Sequence, residues 1–188
     1  GGCGSETHHE PSYITRQRCL VLNDWALDLL ARGEHSKAAS ASTLAIEGDR
    51  VYANITGERQ AFQLFVTRGD CYRSKGWADH AAADYQQALE LEPGNWMVKT
   101  RLSIAHYLKG NDLFNHGQFL LSKEEFDQAI SYNWKVSEYY ICRGQAQFFY
   151  GHVAGAHEDY RRALELDPGN PEARRLCRQF DSKGKMAP

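Results

Sequence analysis

Few side chains in this 188-residue chain have the type and spacing for chemistry, and each such group has a plain structural competitor. Cys3, His8, His9 and Glu10 offer sulfur, imidazole and carboxylate donors of the kind that bind a zinc-like ion. They sit in a glycine-containing start, residues 1–12, that reads as a flexible segment, so metal binding stands only as an alternative. The five cysteines, Cys3, Cys19, Cys71, Cys142 and Cys177, are odd in number and form no CxxC pair, which fits reduced thiols within helices better than a disulfide framework. Asn54-Ile55-Thr56 is a glycosylation sequon by pattern alone. Arg68-Gly69-Asp70 spells an adhesion tripeptide but occupies helical positions where no presenting loop is expected. Ser122 with Glu125 has the spacing of a capping box, yet the repeat register described below starts that helix near Phe119. No HExxH, phosphate-cradling glycine loop or nucleophile elbow occurs. No catalytic residue and no cofactor is therefore expected, and the chain is not read as an enzyme.

The elements that must position these residues follow a 34-residue step, visible in segments 62–95, 103–136 and 137–170. The eighth place holds Gly69, Gly110 and Gly144, and the fifteenth holds Gly76, Gly117 and Gly151. Aromatics recur at the twenty-fourth place as Tyr85, Phe126 and Tyr160, and alanines at the twenty-seventh as Ala88, Ala129 and Ala163. Ala81 and Ala156 share the twentieth place, and Pro93 and Pro168 the thirty-second. Each copy has room for two amphipathic helices of about twelve to fifteen residues joined by a glycine turn, and two such helices alone cannot bury their apolar faces. Glycine and alanine at fixed places let helix axes approach to roughly 8–10 Å, and the aromatics fill the remaining gaps.

The order Gly69, Tyr72, Gly76, Ala81, Tyr85, Ala88, Pro93 resembles the tetratricopeptide repeat family, directly over about 100 residues. The resemblance implies an all-α, right-handed superhelical solenoid of helix hairpins whose first helices line a concave, peptide-binding groove. A degenerate copy is expected over 19–50, carried by Leu22, Leu29, Gly33, Ala38 and Ala45, with Ser42 in the aromatic place and Arg50 in the proline place. A loop over 48–58 follows it. The alanine step from Ala88 to Ala129 exceeds the period by 7 residues, which predicts an extension at 96–102 and one long helix from Trp96 to Asn115 capped by Asn95. Trp96 would center an added contact surface, unless the extension is a packing variant. Pro171 opens a final helix, 171–182, with Ala173, Leu176, Cys177 and Phe180 on one face and Arg174, Arg175 and Arg178 off it, the composition of a cap. Residues 13–182 thus read as a single domain, with 183–188 a tail.

The family's groove places carried onto this chain give Gln63, Val66, Asp70, Arg73 and Ser74 in the first clear copy; Ile104, Tyr107, Asn111, Phe114 and Asn115 in the second; and Glu138, Ile141, Gln145, Phe148 and Phe149 in the third, of which Asp70, Arg73, Tyr107, Asn111, Phe114, Asn115, Ile141, Gln145 and Phe148 are the expected contacts. The expected partner is a protein peptide or helix near Tyr107, Phe114 and Phe148, flanked by Asn111 and Gln145; packing inside the fold is the competing role for these rings. The clamp by which some members hold a chaperone's terminal carboxylate is missing: its places hold Val66, Asp70, Leu108, Glu138 and Cys142, and shifting by one repeat gives Asn23, Leu27, Thr67, Ile104 and Leu108. A closer similarity, to the later repeats of one cilium-associated member, rests on the degenerate copy, Arg68-Gly69-Asp70-Cys71, Ala83-Asp84-Tyr85-Gln86-Gln87-Ala88-Leu89 and the lengthened helix with Thr100-Arg101. It implies a piece of a larger repeat protein in a ciliary or axonemal scaffold. The main alternative is a targeting or regulatory subunit of an enzyme complex, and a remoter one is a metal- or redox-responsive domain.

Composition agrees with a soluble chain: 42% hydrophobic, 24% charged and a formal net charge of −2. That balance gives no nucleic-acid signal. No apolar run approaches a membrane span and no apolar secretory segment follows the start, so neither a membrane nor export is expected and a cytoplasmic-type setting is favored.

Overall fold

The computed structural model describes residues 10–56 and 61–184, with side chains over 15–54 and 61–180. Every regular element among them is helical: α1 Glu10–Ala31, α2 His35–Thr56, α3 Phe62–Ser74, α4 Ala78–Leu91, α5 Trp96–Asn115, α6 Phe119–Tyr132, α7 Ser137–Tyr150, α8 Val153–Leu166 and α9 Pro171–Gly184. The fold is the expected all-α tetratricopeptide-type series of helix hairpins closed by α9. The chain divides into two compact units, Gly1–Val98 and Lys99–Pro188, where a single domain over 13–182 is expected. The division falls inside α5, just after its first turn.

Each hairpin turns on a left-handed glycine. Gly76 has φ +75°, its N–H reaches the Arg73 carbonyl at 3.0 Å, and the Trp77 N–H reaches the Tyr72 carbonyl at 2.9 Å. This pair of bonds satisfies carbonyls that the helix end leaves open. Gly33, Gly117 and Gly151 close the other hairpins in the same way.

Within each clear copy the eighth and twenty-fourth places lock together. A Cβ added to Gly69, Gly110 or Gly144 would lie 2.7 Å from a ring carbon of Tyr85, Phe126 or Tyr160 respectively. Those three rings are fully buried. A second coupling joins the same helices through charge at the seventh and twenty-third places. Arg68 grips Asp84 with two bonds of 2.8 and 2.7 Å, Lys109 meets Glu125 at 2.8 Å, and Arg143 grips Asp159 with two bonds of 2.9 and 2.6 Å. The arginines also reach back to the preceding hairpin, Arg68 to the Thr43 hydroxyl at 3.3 Å and Arg143 to Asp127 at 2.6 Å.

In the first unit these contacts account for the adhesion-like tripeptide. Arg68 is held by Asp84, Gly69 lies under Tyr85, and Asp70 accepts the Tyr85 hydroxyl at 2.7 Å. The capping-box pattern is likewise structural. α6 starts at Phe119, as the register expects, and the Ser122 hydroxyl donates instead to the Gly110 carbonyl at 2.8 Å, in the place where the other copies have Ala81 and Ala156.

The loop expected over 48–58 is corrected by α2, which runs unbroken to Thr56 and takes in the Asn54 sequon. Gly48 is a packing residue here: an added Cβ would lie 2.7 Å from the Cys19 sulfur. α1 likewise begins at Glu10, so the start expected to be flexible through residue 12 is helical from Glu10. In the second unit Pro171 opens α9, where the Asn170 side-chain oxygen accepts the N–H groups of Glu172 and Ala173 at 3.0 Å each. Ala173, Leu176 and Cys177 then bury against Tyr140, Ile141, Tyr160 and Ala163, as a cap requires. The helix continues past the expected end at 182 to Gly184.

Candidate peptide-docking surface

In the second unit, α5, α7 and α9 present side chains to a common hollow of about 270 Å³. Phe114 comes from α5; Gln145, Phe148 and Phe149 from α7; Arg175, Leu176, Gln179 and Phe180 from α9; and Tyr160 closes the floor from α8. The rings form a connected series. Phe180 meets Phe148 edge-on at 5.6 Å, Phe148 meets Phe149 at 5.6 Å, and Phe149 stacks on Phe119 at 5.1 Å, with Phe114 edge-on to both Phe149 and Phe119. Such geometries suit the ring quadrupoles. Phe148 and Phe149 remain 38% and 58% exposed. Beyond Phe149 the apolar surface continues over a second, shallower hollow lined by Phe119, Leu120, Leu121 and Tyr150.

Of the residues expected in a groove, Phe114, Gln145 and Phe148 are therefore brought together. Tyr107 is not with them: its half-buried ring packs on Tyr139 at 5.2 Å and Phe126 at 6.1 Å. Burial pushes the Tyr107 phenol above its ordinary range, and its hydrogen bond to Asn111 pulls the other way. Asn111 thus positions Tyr107, and Asn115 lies exposed at the end of α5. Ile141 is a correction to the expected groove, since it is 2% exposed and belongs to the core with Tyr160 and Leu176. Asp70 and Arg73 lie in the first unit, 3.7 Å apart, where Asp70 also receives the Tyr85 hydroxyl. Trp96, on the first turn of α5, is 73% exposed.

The helix α9 contributes four residues that the groove reading omitted. The signal was available: with Pro171 as the first place of one more copy, Arg175 falls at the fifth place and Gln179 at the ninth, two of the groove places.

The described cysteines offer little reactivity. Cys19, Cys71, Cys142 and Cys177 are buried and form no disulfide. Burial, reinforced by Asp70, pushes the Cys71 thiol up to about 11; burial, reinforced by Glu138, pushes Cys142 up to about 12. A protonated thiol is a poor nucleophile and a poor metal ligand. Among the described residues no group of His, Cys, Asp and Glu has a metal-holding arrangement, and no helix is long and apolar enough to cross a membrane. Cys3, His8 and His9 lie outside the described residues, as does the side chain of Glu10.

Comparison with known proteins agrees with the helix-hairpin fold. Tetratricopeptide repeat models match residues 62–95 and 137–170. Tetratricopeptide repeat protein 16 of Macaca fascicularis is 29% identical over 157 residues, which is 84% of this chain and 17% of that protein. The chain thus spans about a sixth of the length of that relative. A tetratricopeptide repeat protein from Parabacteroides merdae superposes with a TM-score of 0.61 at 16% identity, over 90% of this chain and 62% of that one. The first repeat domain of Spaghetti (RPAP3), solved bound to the HSP90 peptide SRMEEVD, is 25% identical with a TM-score of 0.44, over 66% of this chain and 93% of that one. With two matched repeats and the hairpin contacts described above, the chain carries tetratricopeptide repeats and resembles tetratricopeptide repeat protein 16.

Proposed function

We propose that this chain is a non-catalytic interaction scaffold or adaptor that holds a peptide or helix of a protein partner on the face formed by α5, α7 and α9. Tetratricopeptide repeats are protein-interaction modules, and the observation that carries the reading here is the exposure of Phe148 and Phe149 over a preformed apolar hollow with two amides at its edge. Aromatic anchors in partly enclosed pockets supply most of the binding energy of such interfaces, while amides such as Gln145 and Gln179 fix register. A cytoplasmic setting, in a ciliary or axonemal assembly, is part of the proposal and is supported by the likeness to tetratricopeptide repeat protein 16.

The proposed partner is not a chaperone's terminal carboxylate. Where a clamp needs donors, Glu138 is an acceptor that takes the Cys142 thiol at 3.8 Å, and in the first unit Asp70 is an acceptor for Tyr85. Carboxylate facing carboxylate is repulsive. The test captures a partner with the intact chain, maps its binding segment, and measures the affinity of that segment for wild type and for Phe148→Ala. An affinity loss of about tenfold or more with unchanged circular dichroism is expected; undiminished affinity would sink the proposal. In the same calorimeter the peptide SRMEEVD should give no low-micromolar binding that is lost on amidating its terminus. Such binding would overturn the exclusion of chaperone tails.

A further inference from the structure

We infer that α1 is a self-association surface, on which two copies of this chain pair antiparallel through the row Arg18, Val21, Trp25 and Asp28. The inference is independent of the α5, α7 and α9 face. It starts from what covers the equivalent row in other copies. In the register of the degenerate copy, Val21 and Trp25 hold the third and seventh places. The same places are Leu64 and Arg68 in α3, Tyr139 and Arg143 in α7, and Ala173 and Cys177 in α9. There the second helix of the preceding hairpin packs on the row: α2 meets Arg68 through Thr43, α6 meets Arg143 through Asp127, and α8 buries Ala173 and Cys177. Leu64, Tyr139, Ala173 and Cys177 are accordingly at most 6% exposed. On α1, Val21 is 65% exposed and Trp25 50%, and among the described residues no helix covers them. The last helix is finished differently, since α9 exposes Arg174, Arg178 and Gln179. A terminal helix needs such a polar outer face, and α1 has an apolar one.

The row differs from the seams between hairpins and is complementary to itself. At the seventh place Arg68 and Arg143 carry the bond back to the twenty-fifth place of the preceding helix, where α1 has Trp25 instead. The spacing 18, 21, 25, 28 alternates steps of three and four, the seam of a two-helix coiled coil. Turned about the level of residue 23, Val21 faces the second copy's Trp25 and Arg18 faces the second copy's Asp28. A two-fold axis repeats both contacts, as an isologous interface requires. Asp28 also meets Arg32 of its own helix at 2.6 Å, an exposed pair that contributes little and leaves the second carboxylate oxygen to Arg18 of the other copy. A parallel pair would set Arg18 against Arg18, which is repulsive. The row advances about 15 Å along the helix. That is short for a standard interface, so the dimer should be weak, with a Kd on the order of tens of micromolar.

The test is sedimentation velocity of the full chain at about 1–300 µM and low salt, a range that brackets such a Kd. The weight-average mass should rise from that of one chain toward that of two. Trp25→Glu and Val21→Lys should each weaken the dimer at least tenfold with circular dichroism unchanged, since both side chains are exposed in the monomer. Arg18→Glu and Asp28→Lys each bring like charges together and should weaken it severalfold. An equimolar mixture of those two variants should recover wild-type association, because each introduced charge then meets an opposite one. A mass that stays at one chain throughout overturns the proposal. So does a dimer that is indifferent to Trp25→Glu and lost with Phe149→Ala, which would place self-association on the other face. A mixture no better than its components would overturn the antiparallel pairing.

Discussion

Replacing Gly144 by leucine is expected to destabilize the second unit by about 3 kcal/mol or more, at the upper end of what overpacking costs. Even a Cβ at this position would lie 2.7 and 3.0 Å from Tyr160 ring carbons and 3.1 Å from the Ala156 carbonyl oxygen. Tyr160 is 1% exposed and cannot swing aside, so relief requires α7 and α8 to separate, which breaks the alanine contacts that surround the ring. Gly94→Ala is the control: nothing lies within 4 Å of its added Cβ, and a change below about 0.5 kcal/mol is expected. Thermal unfolding followed by circular dichroism reads both. A midpoint for Gly144→Leu equal to that of the control would mean that α7 does not sit on Tyr160.

Arg143→Leu is expected to cost about 3–5 kcal/mol, the usual penalty for removing one member of a buried ion pair. The loss strands Asp159, whose side chain is 6% exposed, with the Gln147 amide at 2.7 Å as its remaining donor in this network. Burial already pushes the Asp159 carboxyl upward and Arg143 is what opposes it, so the stranded acid should become easier to protonate. Lys109→Leu removes the equivalent charge from the middle copy. There Glu125 keeps His106 at 2.7 Å and Lys109 itself is more exposed, so a loss of about 1 kcal/mol or less is expected. Urea unfolding of the two variants side by side checks the ranking. Equal effects would show that the Arg143 pair is not buried as described.

The helix pairs and their register were legible because the residues that set them, Gly69, Gly144, Tyr85 and Tyr160, recur with the same identity. The charge couplings escaped notice because their identities change from Arg68 and Asp84 to Lys109 and Glu125, and because charges in amphipathic helices ordinarily read as a solvated face. Only the three-dimensional pairing shows that they are interhelical. The end of α2 was misread for a different reason. Gly48 and the missing proline at Arg50 look like a breaking helix, but a glycine without a turn partner is equally a packing residue, and Cys19 occupies the space that its absent side chain leaves. Of the residues expected in a groove, Phe114, Gln145 and Phe148 line one hollow from α5 and α7. The sequence could not tell that Tyr107 and Ile141 turn inward, since a groove place and a core place differ by a small rotation of the helix about its axis.

The first hairpin carries neither coupling. Its eighth and twenty-fourth places are Ala26 and Ser42, and its seventh and twenty-third are the half-exposed Trp25 and the buried Ala41. The Ser42 hydroxyl is buried with no hydrogen-bond partner, a cost that the aromatic copies avoid. Opening α1 from α2 therefore sacrifices no ring lock and no charge pair at these two pairs of places, and it releases one stranded hydroxyl to water. In a hydrogen–deuterium exchange experiment the buried amides of α2 should trade protons through this sub-global opening, well before those of α7 and α8, which wait for a larger unfolding event. The repeat least like the others is in this sense the protein's most easily detached page.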